Sequence, residues 1–225
     1  MDILRYLDRK KVEKPLRDEL FNAEQLIQHA KQLAATEHVA KRKKDHFLLD
    51  RLDYNDKILH KFNKDTLLLK KPYTLTPASK WVVDNFYLIE EYIQLARRHF
   101  PEKYSKELPC HESGEYKGLP RVYSIILELI SHVDAQVEKE SLHAFIHAYQ
   151  TISPLNLGEL WAVPIMLRLA LIENLQRIVS RLQQNQIDRD TAKIWVDKLQ
   201  VMAKKRPSLL VEVVANMAKT NIPPV

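Results

Sequence analysis

The chain has 225 residues, 45% hydrophobic and 28% charged, which is enough for one sizeable hydrophobic core or two small ones. Three Gly and one Cys against eleven Pro exclude a disulfide framework, a thiolate zinc site and glycine-rich phosphate loops, and neither G-x-G-x-x-G nor G-x-x-x-x-G-K-[ST] occurs. The formal charge of +6 sits at the two ends around a slightly acidic middle, which permits contact with anionic lipid without requiring it.

The opening residues Met1 to Asp8 are charged throughout and have no apolar signal region. The uncharged run Leu160 to Leu167 is too short to span a bilayer, so these residues are expected to be soluble. From Phe21 to Glu37 the pattern predicts a helix: Asn22 caps it, Gln25 completes a capping box, and Ala23, Leu26, Ile27, Ala30, Leu33 and Ala34 form one apolar stripe. The basic run Lys41-Arg-Lys-Lys44 marks a loop over 38–46. A second helix over about 48–69 carries Leu48, Leu52, Ile58, Leu59 and Phe62 inward, and the two form a hairpin resting on the rest of the chain.

Thr76-Pro77 then caps and starts a long helix that Pro101 ends, with Trp81, Val82, Phe86, Ile89, Tyr92, Ile93 and Ala96 on its core stripe. Residues 101–119, with two Pro and two Gly, read as a loop. Further helices are expected over about 120–134 and 136–150. A markedly apolar one follows over 156–184, capped by Asn156 and Glu159 and interrupted at Pro164, which must start a turn or bend the axis. Two terminal helices, about 188–205 and 208–219, complete the count. The ending Asn221-Ile-Pro-Pro-Val225 reads as a linker, so the natural chain is expected to continue. The expectation is an all-α bundle of about eight helices, divided into an N-terminal hairpin region, 1–71, and a main bundle, 72–225.

Charges embedded in apolar helices need partners. Asp84, Glu90, Glu91, Arg121, Glu128, Glu159, Arg168, Glu173 and Asn174 are therefore read as a structural polar network, with Arg168 or Glu173 pairing with Asp84, Glu90, Glu91, Arg121 or Glu128. Asp188-Arg-Asp190 has the D-x-D spacing that holds a divalent ion in sugar-nucleotide transferases, but it falls at a helix start, where acidic residues cap N–H groups. His132, His143 and His147, with Glu128 and Glu140, offer i,i+3 and i,i+4 spacings; without a second matching pair they read as helix-surface histidines and no metal is assigned. Cys110 beside His111 lacks an orienting third group and reads as a semi-buried thiol. Lys41–Lys44 and Lys204–Arg206 lack interleaved stacking aromatics, so nucleic acid is not an expected partner. In the last two helices Trp195 and Val214 belong to an apolar set larger than one inward stripe absorbs, a candidate docking surface flanked by Lys198 and Lys204–Arg206 for acidic headgroups or an acidic domain. Trp195 is also the plausible sugar-stacking platform, since Trp81 and Trp161 fall on core-like stripes.

Three segments in order carry a resemblance: Leu75-Thr-Pro-Ala-Ser-Lys-Trp-Val-Val-Asp-Asn-Phe-Tyr-Leu-Ile-Glu-Glu91, Gly118-Leu-Pro-Arg-Val-Tyr123 and Gly158-Glu-Leu-Trp-Ala-Val-Pro-Ile-Met-Leu-Arg-Leu-Ala-Leu-Ile-Glu-Asn-Leu175. Together with Pro15 to Leu26 they resemble the N-terminal region of bacterial cyclic β-1,2-glucan synthases. The resemblance implies a large inner-membrane enzyme that uses UDP-glucose and a divalent metal to build, cyclise and release a β-1,2-glucan. None of that family's catalytic motifs falls within these residues, so no catalytic or cofactor-binding residue is expected here. The resemblance implies a non-catalytic region on the cytoplasmic side that braces or regulates the glucosyltransferase, its partners being other domains of the same chain. A free-standing protein-interaction module and a β-1,2-glucan-binding domain stand as alternatives.

Overall fold

A computed structural model describes residues 14–37, 39–40, 47–68, 75–114 and 116–205. Among them the protein is all-α apart from one two-residue strand pair. The elements are α1 (Ala23–Thr36), β1 (Val39–Ala40), α2 (Phe47–Leu67), α3 (Pro77–Asp84), α4 (Phe86–His99), α5 (Glu102–Glu107), β2 (Cys110–His111), α6 (Arg121–His132), α7 (Lys139–Gln150) and α8 (Leu157–Lys205). The basic run 41–44, the expected helix over 208–219 and Val214 lie outside the described residues. No helix among the described residues is long and apolar enough to cross a membrane. The chain divides into two compact units, residues up to Val179 and residues from Ser180 on.

In the first unit α1 starts where its caps dictate. Asn22 Oδ1 accepts from Gln25 N and Gln25 Oε1 accepts from Asn22 N, both at 2.9 Å. Helix α1 lies against α7 and α6, whereas α2 packs on α3 and α4, so the two N-terminal helices rest on different parts of the bundle. Leu26, Ala30 and Ala34 of α1 meet Ile125 and Leu129 of α6 and Phe145, Ala148 and Tyr149 of α7 in one buried cluster. The alanines let the helix backbones approach closely. The segment before α1 is fastened across the end of α6: Asp18 N donates to the Ser131 carbonyl and Phe21 N to the His132 carbonyl.

Several elements depart from the sequence pattern for local reasons. The helix expected over 77–100 breaks at Asn85, whose side-chain and backbone N–H groups both donate to the Trp81 carbonyl and whose backbone leaves the helical region at φ −109°, ψ 16°. The buried seam is Ser79, Val82, Phe86, Ile89, Ile93 and Ala96, in steps of three and four. It is too narrow to hold Trp81, which is 56% exposed, or Tyr92. Residues 101–119 hold the short α5 and β2, which pairs antiparallel with β1 in the register Val39↔His111, Ala40↔Cys110. Helix α8 does not stop near Gln184: no breaker separates Gln184 from Asp188, and the helix runs through Pro164 to Lys205. Asp188 and Asp190 therefore lie inside a helix rather than at its start, accepting from Gln184 and Gln186 one turn earlier.

Within α8, Glu159, Ala162, Met166, Leu169, Ala170 and Glu173 are buried, but the opposite stripe is open. Leu157 and Trp161 are mostly exposed, Trp161 at 69%, and Pro164 and Leu171 share their face. The expectation that Trp161 belongs to the core is corrected accordingly. Arg168 follows on the same stripe, half-buried, and among the described residues no ion pair is formed by it.

Candidate functional site

Helix α6 carries a polar stripe through the apolar core. Arg121, Ser124, Glu128 and His132 recur at helical spacing, and Arg121, Ser124 and His132 are buried. Three connected clusters form along it.

At the N-terminal end Arg121 clasps Glu159 of α8 with two charge-assisted bonds, Nε to Oε1 at 2.9 Å and Nη2 to Oε2 at 2.6 Å. Arg121 also donates to Ser153 Oγ and the Pro154 carbonyl. Glu159 meanwhile completes the cap of α8: Asn156 N donates to its carboxylate, and Glu159 N to Asn156 Oδ1, both at 2.9 Å. One carboxylate thus fixes both the start of α8 and its contact with α6.

One turn on, Ser124, His111, Glu37 and Tyr149 meet. The β1–β2 pair brings Glu37, just past α1, beside His111. Ser124 gives its hydroxyl proton to the Arg121 carbonyl at 2.8 Å, so His111 Nε2–H donates to Ser124 Oγ at 2.6 Å. The same nitrogen lies 3.6 Å from Glu37 Oε1, which is buried and accepts no hydrogen bond. Tyr149 O–H donates to Glu37 Oε2. Burial pushes the Glu37 carboxyl up to about 7, against the opposing pull of the Tyr149 hydrogen bond and the Arg121 charge. Burial and the Arg121 charge lower His111. With Ser124 fully buried and its proton committed, this chain of groups holds helices together and offers no nucleophile. Cys110 points elsewhere, its Sγ donating to the Leu108 carbonyl at 3.5 Å, and it is buried rather than semi-buried.

At the C-terminal end Glu128, His29 and His132 converge. His29 Nε2 lies 2.9 Å from Glu128 Oε2, and His132 Nε2 lies 3.7 Å from the same oxygen. Tyr116 O–H donates to the other Glu128 oxygen at 2.6 Å, and His132 Nδ1–H donates to the Glu19 carbonyl at 2.6 Å. Burial would raise the Glu128 carboxyl, but the hydrogen bonds from His29 and Tyr116 hold it below its ordinary value. Phe21 stacks on His132 with ring centroids 3.9 Å apart. His29 also lines a cleft of about 370 Å³ with Phe21, Gln25, Gln28 and Gln32. The reading of His132 as a surface histidine is thus overturned, while His143 and His147 are exposed on α7 and stack on each other. The third member of the group, His29 on α1, had no signal in its own helix.

Away from α6, Glu173 of α8 is buried and pairs with Arg51 of α2 through two guanidinium contacts, and with Asn55 and Arg177 at 2.8 Å each. Burial would raise the Glu173 carboxyl, and Arg51 and Arg177 hold it below its usual value. Its partners come from the N-terminal helix α2 and its own helix, not from Asp84, Glu90, Glu91, Arg121 or Glu128. Asn174 Oδ1 accepts from Leu16 N at 2.8 Å. Asp84, Glu90 and Glu91 are exposed, and Glu90 meets His60 at 3.0 Å. In the second unit Trp195 is half-buried, with the Lys198 ammonium 4.8 Å from its ring centroid.

No family model matches the chain. Over 127 residues, 56% of its length, the chain is 37% identical to the cyclic β-(1,2)-glucan synthase NdvB of Rhizobium meliloti (strain 1021), and it spans 4% of the length of that relative, a partial match that supports a family relation.

Proposed function

We propose that this chain is a non-catalytic helical region of a cyclic β-1,2-glucan synthase, bracing or regulating the UDP-glucose-dependent glucosyltransferase of the same polypeptide on the cytoplasmic side of the bacterial inner membrane. The observation that carries the reading is the 37% identity over 127 residues. The chemistry of the interior agrees with it: paired Arg–Glu groups and hydrogen-bonded chains hold helices in register, a bracing element's task. UDP-glucose and a divalent metal would then be bound by other domains of that polypeptide. The docking partner would be those domains, met through the exposed apolar stripe of α8, Leu157, Trp161, Pro164 and Leu171, and through the surface around Trp195. Anionic headgroups near Lys198 and Lys204 are a further partner of this reading.

The test uses membranes containing a full-length synthase that carries this region. Trp161→Asp in that synthase is expected to impair glucan formation from UDP-glucose while leaving the thermal unfolding of the 225-residue chain unchanged. The isolated chain is expected to release no UDP from UDP-glucose with magnesium or manganese. Undiminished synthesis by the Trp161→Asp enzyme would remove the docking role. UDP release that disappears in an Asp188→Ala, Asp190→Ala chain would replace the reading with a catalytic one.

A second reading, β-1,2-glucan binding, gains from the exposure of Trp81 and Trp161, since sugar rings stack on open aromatic faces. Tryptophan fluorescence that responds to β-1,2-glucan in the chain, and not in its Trp161→Ala variant, would favour it.

A further inference from the structure

We propose that His29, Glu128 and His132 form a binding site for a divalent transition-metal ion of the zinc class. Two imidazoles and one carboxylate from two helices present ligand atoms that all lie within 4.8 Å of one another. Ligands at about 2.0–2.2 Å from one ion sit about 3.3–3.5 Å apart across a tetrahedral edge. The separations of 2.9 and 3.7 Å from the two histidine nitrogens to Glu128 Oε2 bracket that value. Closing the widest gap takes a shift of about 1.5 Å or less, within the reach of side-chain rotation.

The supporting contacts are those a metal site needs. His132 Nδ1–H is committed to the Glu19 carbonyl, which fixes the tautomer that turns a bare Nε2 lone pair toward Glu128. That nitrogen lies 3.7 Å from the carboxylate, beyond hydrogen-bond distance, and its lone pair suits a cation placed between them. Tyr116 holds the second oxygen of Glu128, leaving Oε2 for the ion. Phe21 seals one face of His132 by stacking. His29 and Glu128 are both partly exposed, which leaves water or an anionic ligand a route to the fourth coordination position. The set of one carboxylate with two imidazoles suits zinc over calcium or magnesium, which demand mostly oxygen donors.

The experiment titrates the 225-residue chain with zinc chloride by calorimetry, in a His143→Ala, His147→Ala background that removes the exposed pair on α7. One equivalent is expected to bind with a Kd near or below about 1 µM, and His29→Ala is expected to weaken it by about 100-fold or more. Glu128→Gln should do the same. His29 is partly exposed, so its variant is expected to keep the wild-type circular dichroism, and it decides the matter if Glu128→Gln fails to fold. Zinc affinity weaker than about 100 µM, or affinity untouched by His29→Ala in a folded chain, overturns the proposal. The measurement is made on this chain without substrate or membrane, so its failure leaves the glucan-synthase reading standing.

Discussion

Glu37 shows what one buried carboxyl does to pH dependence. Its folded pKa of about 7 lies above the ordinary 4.5, so between those values the folded state keeps a proton that the unfolded chain has released. Stability contributed by that proton is complete below about pH 4.5, falls as pH rises and levels off above about 7, a loss of about 3 kcal/mol at most. His111, lowered in the fold, acts in the opposite sense and loses stability as pH falls below its ordinary 6.5. Glu37→Gln keeps an acceptor for Tyr149 and removes the titration. Urea unfolding at pH 5 and pH 8 should show the variant gaining on the wild type at pH 8, and an unchanged pH profile would refute the buried carboxyl. Arg121 and Arg168 supply a second contrast, since both were expected in one network. Arg121→Ala strands buried Glu159 and should cost about 3–5 kcal/mol. Arg168→Ala leaves no stranded partner among the described residues and should cost about 1 kcal/mol or less. Equal losses in denaturant midpoint would show that the solvent-facing stripe of α8 is misplaced.

At the scale of the element, local chemistry was legible and long-range chemistry was not. The boxes Asn22–Gln25 and Asn156–Glu159 lie where the sequence predicts them, because a cap is decided by four consecutive residues. The break at Asn85 was missed because an asparagine that bonds its own backbone resembles any polar residue in a helical pattern. The union of α8 was missed for the converse reason: a polar stretch without Gly or Pro can stop a helix only through its surroundings. The turn from α6 to α7 offers a direct check of local strain. Asp134 and Ala135 both sit in the left-handed region, at φ 52° and 60°. Alanine has no side-chain bond to offset that conformation, so Ala135→Gly should raise stability by about 0.5–1 kcal/mol, read as a higher melting temperature. A lower melting temperature would mean that the Ala135 methyl packs more than it strains.

Across the molecule, the fold class followed from periodicity, whereas the pairing of charges required the tertiary structure. Glu173 meets Arg51 across 122 positions and His29 meets Glu128 across 99, distances at which no spacing rule operates. The sequence does show that Arg121, Glu128, Glu159 and Glu173 stand in apolar helices and must be satisfied; it does not show by whom. The polar stripe of α6 also constrains how this protein can change over time. A purely apolar helix can slip or repack when a neighbour is altered, and single steps between Leu, Ile and Met keep such an interior working. Here Arg121 is tied to Glu159, Ser124 to His111, and Glu128 to His29 and Tyr116, so any lone replacement leaves a charge or donor in the interior without a counterpart. Evolutionary drift along this helix must therefore proceed by coordinated double exchanges. Relatives in which Arg121 has been replaced should carry a matching replacement at Glu159, a correlation that an alignment of such sequences would reveal.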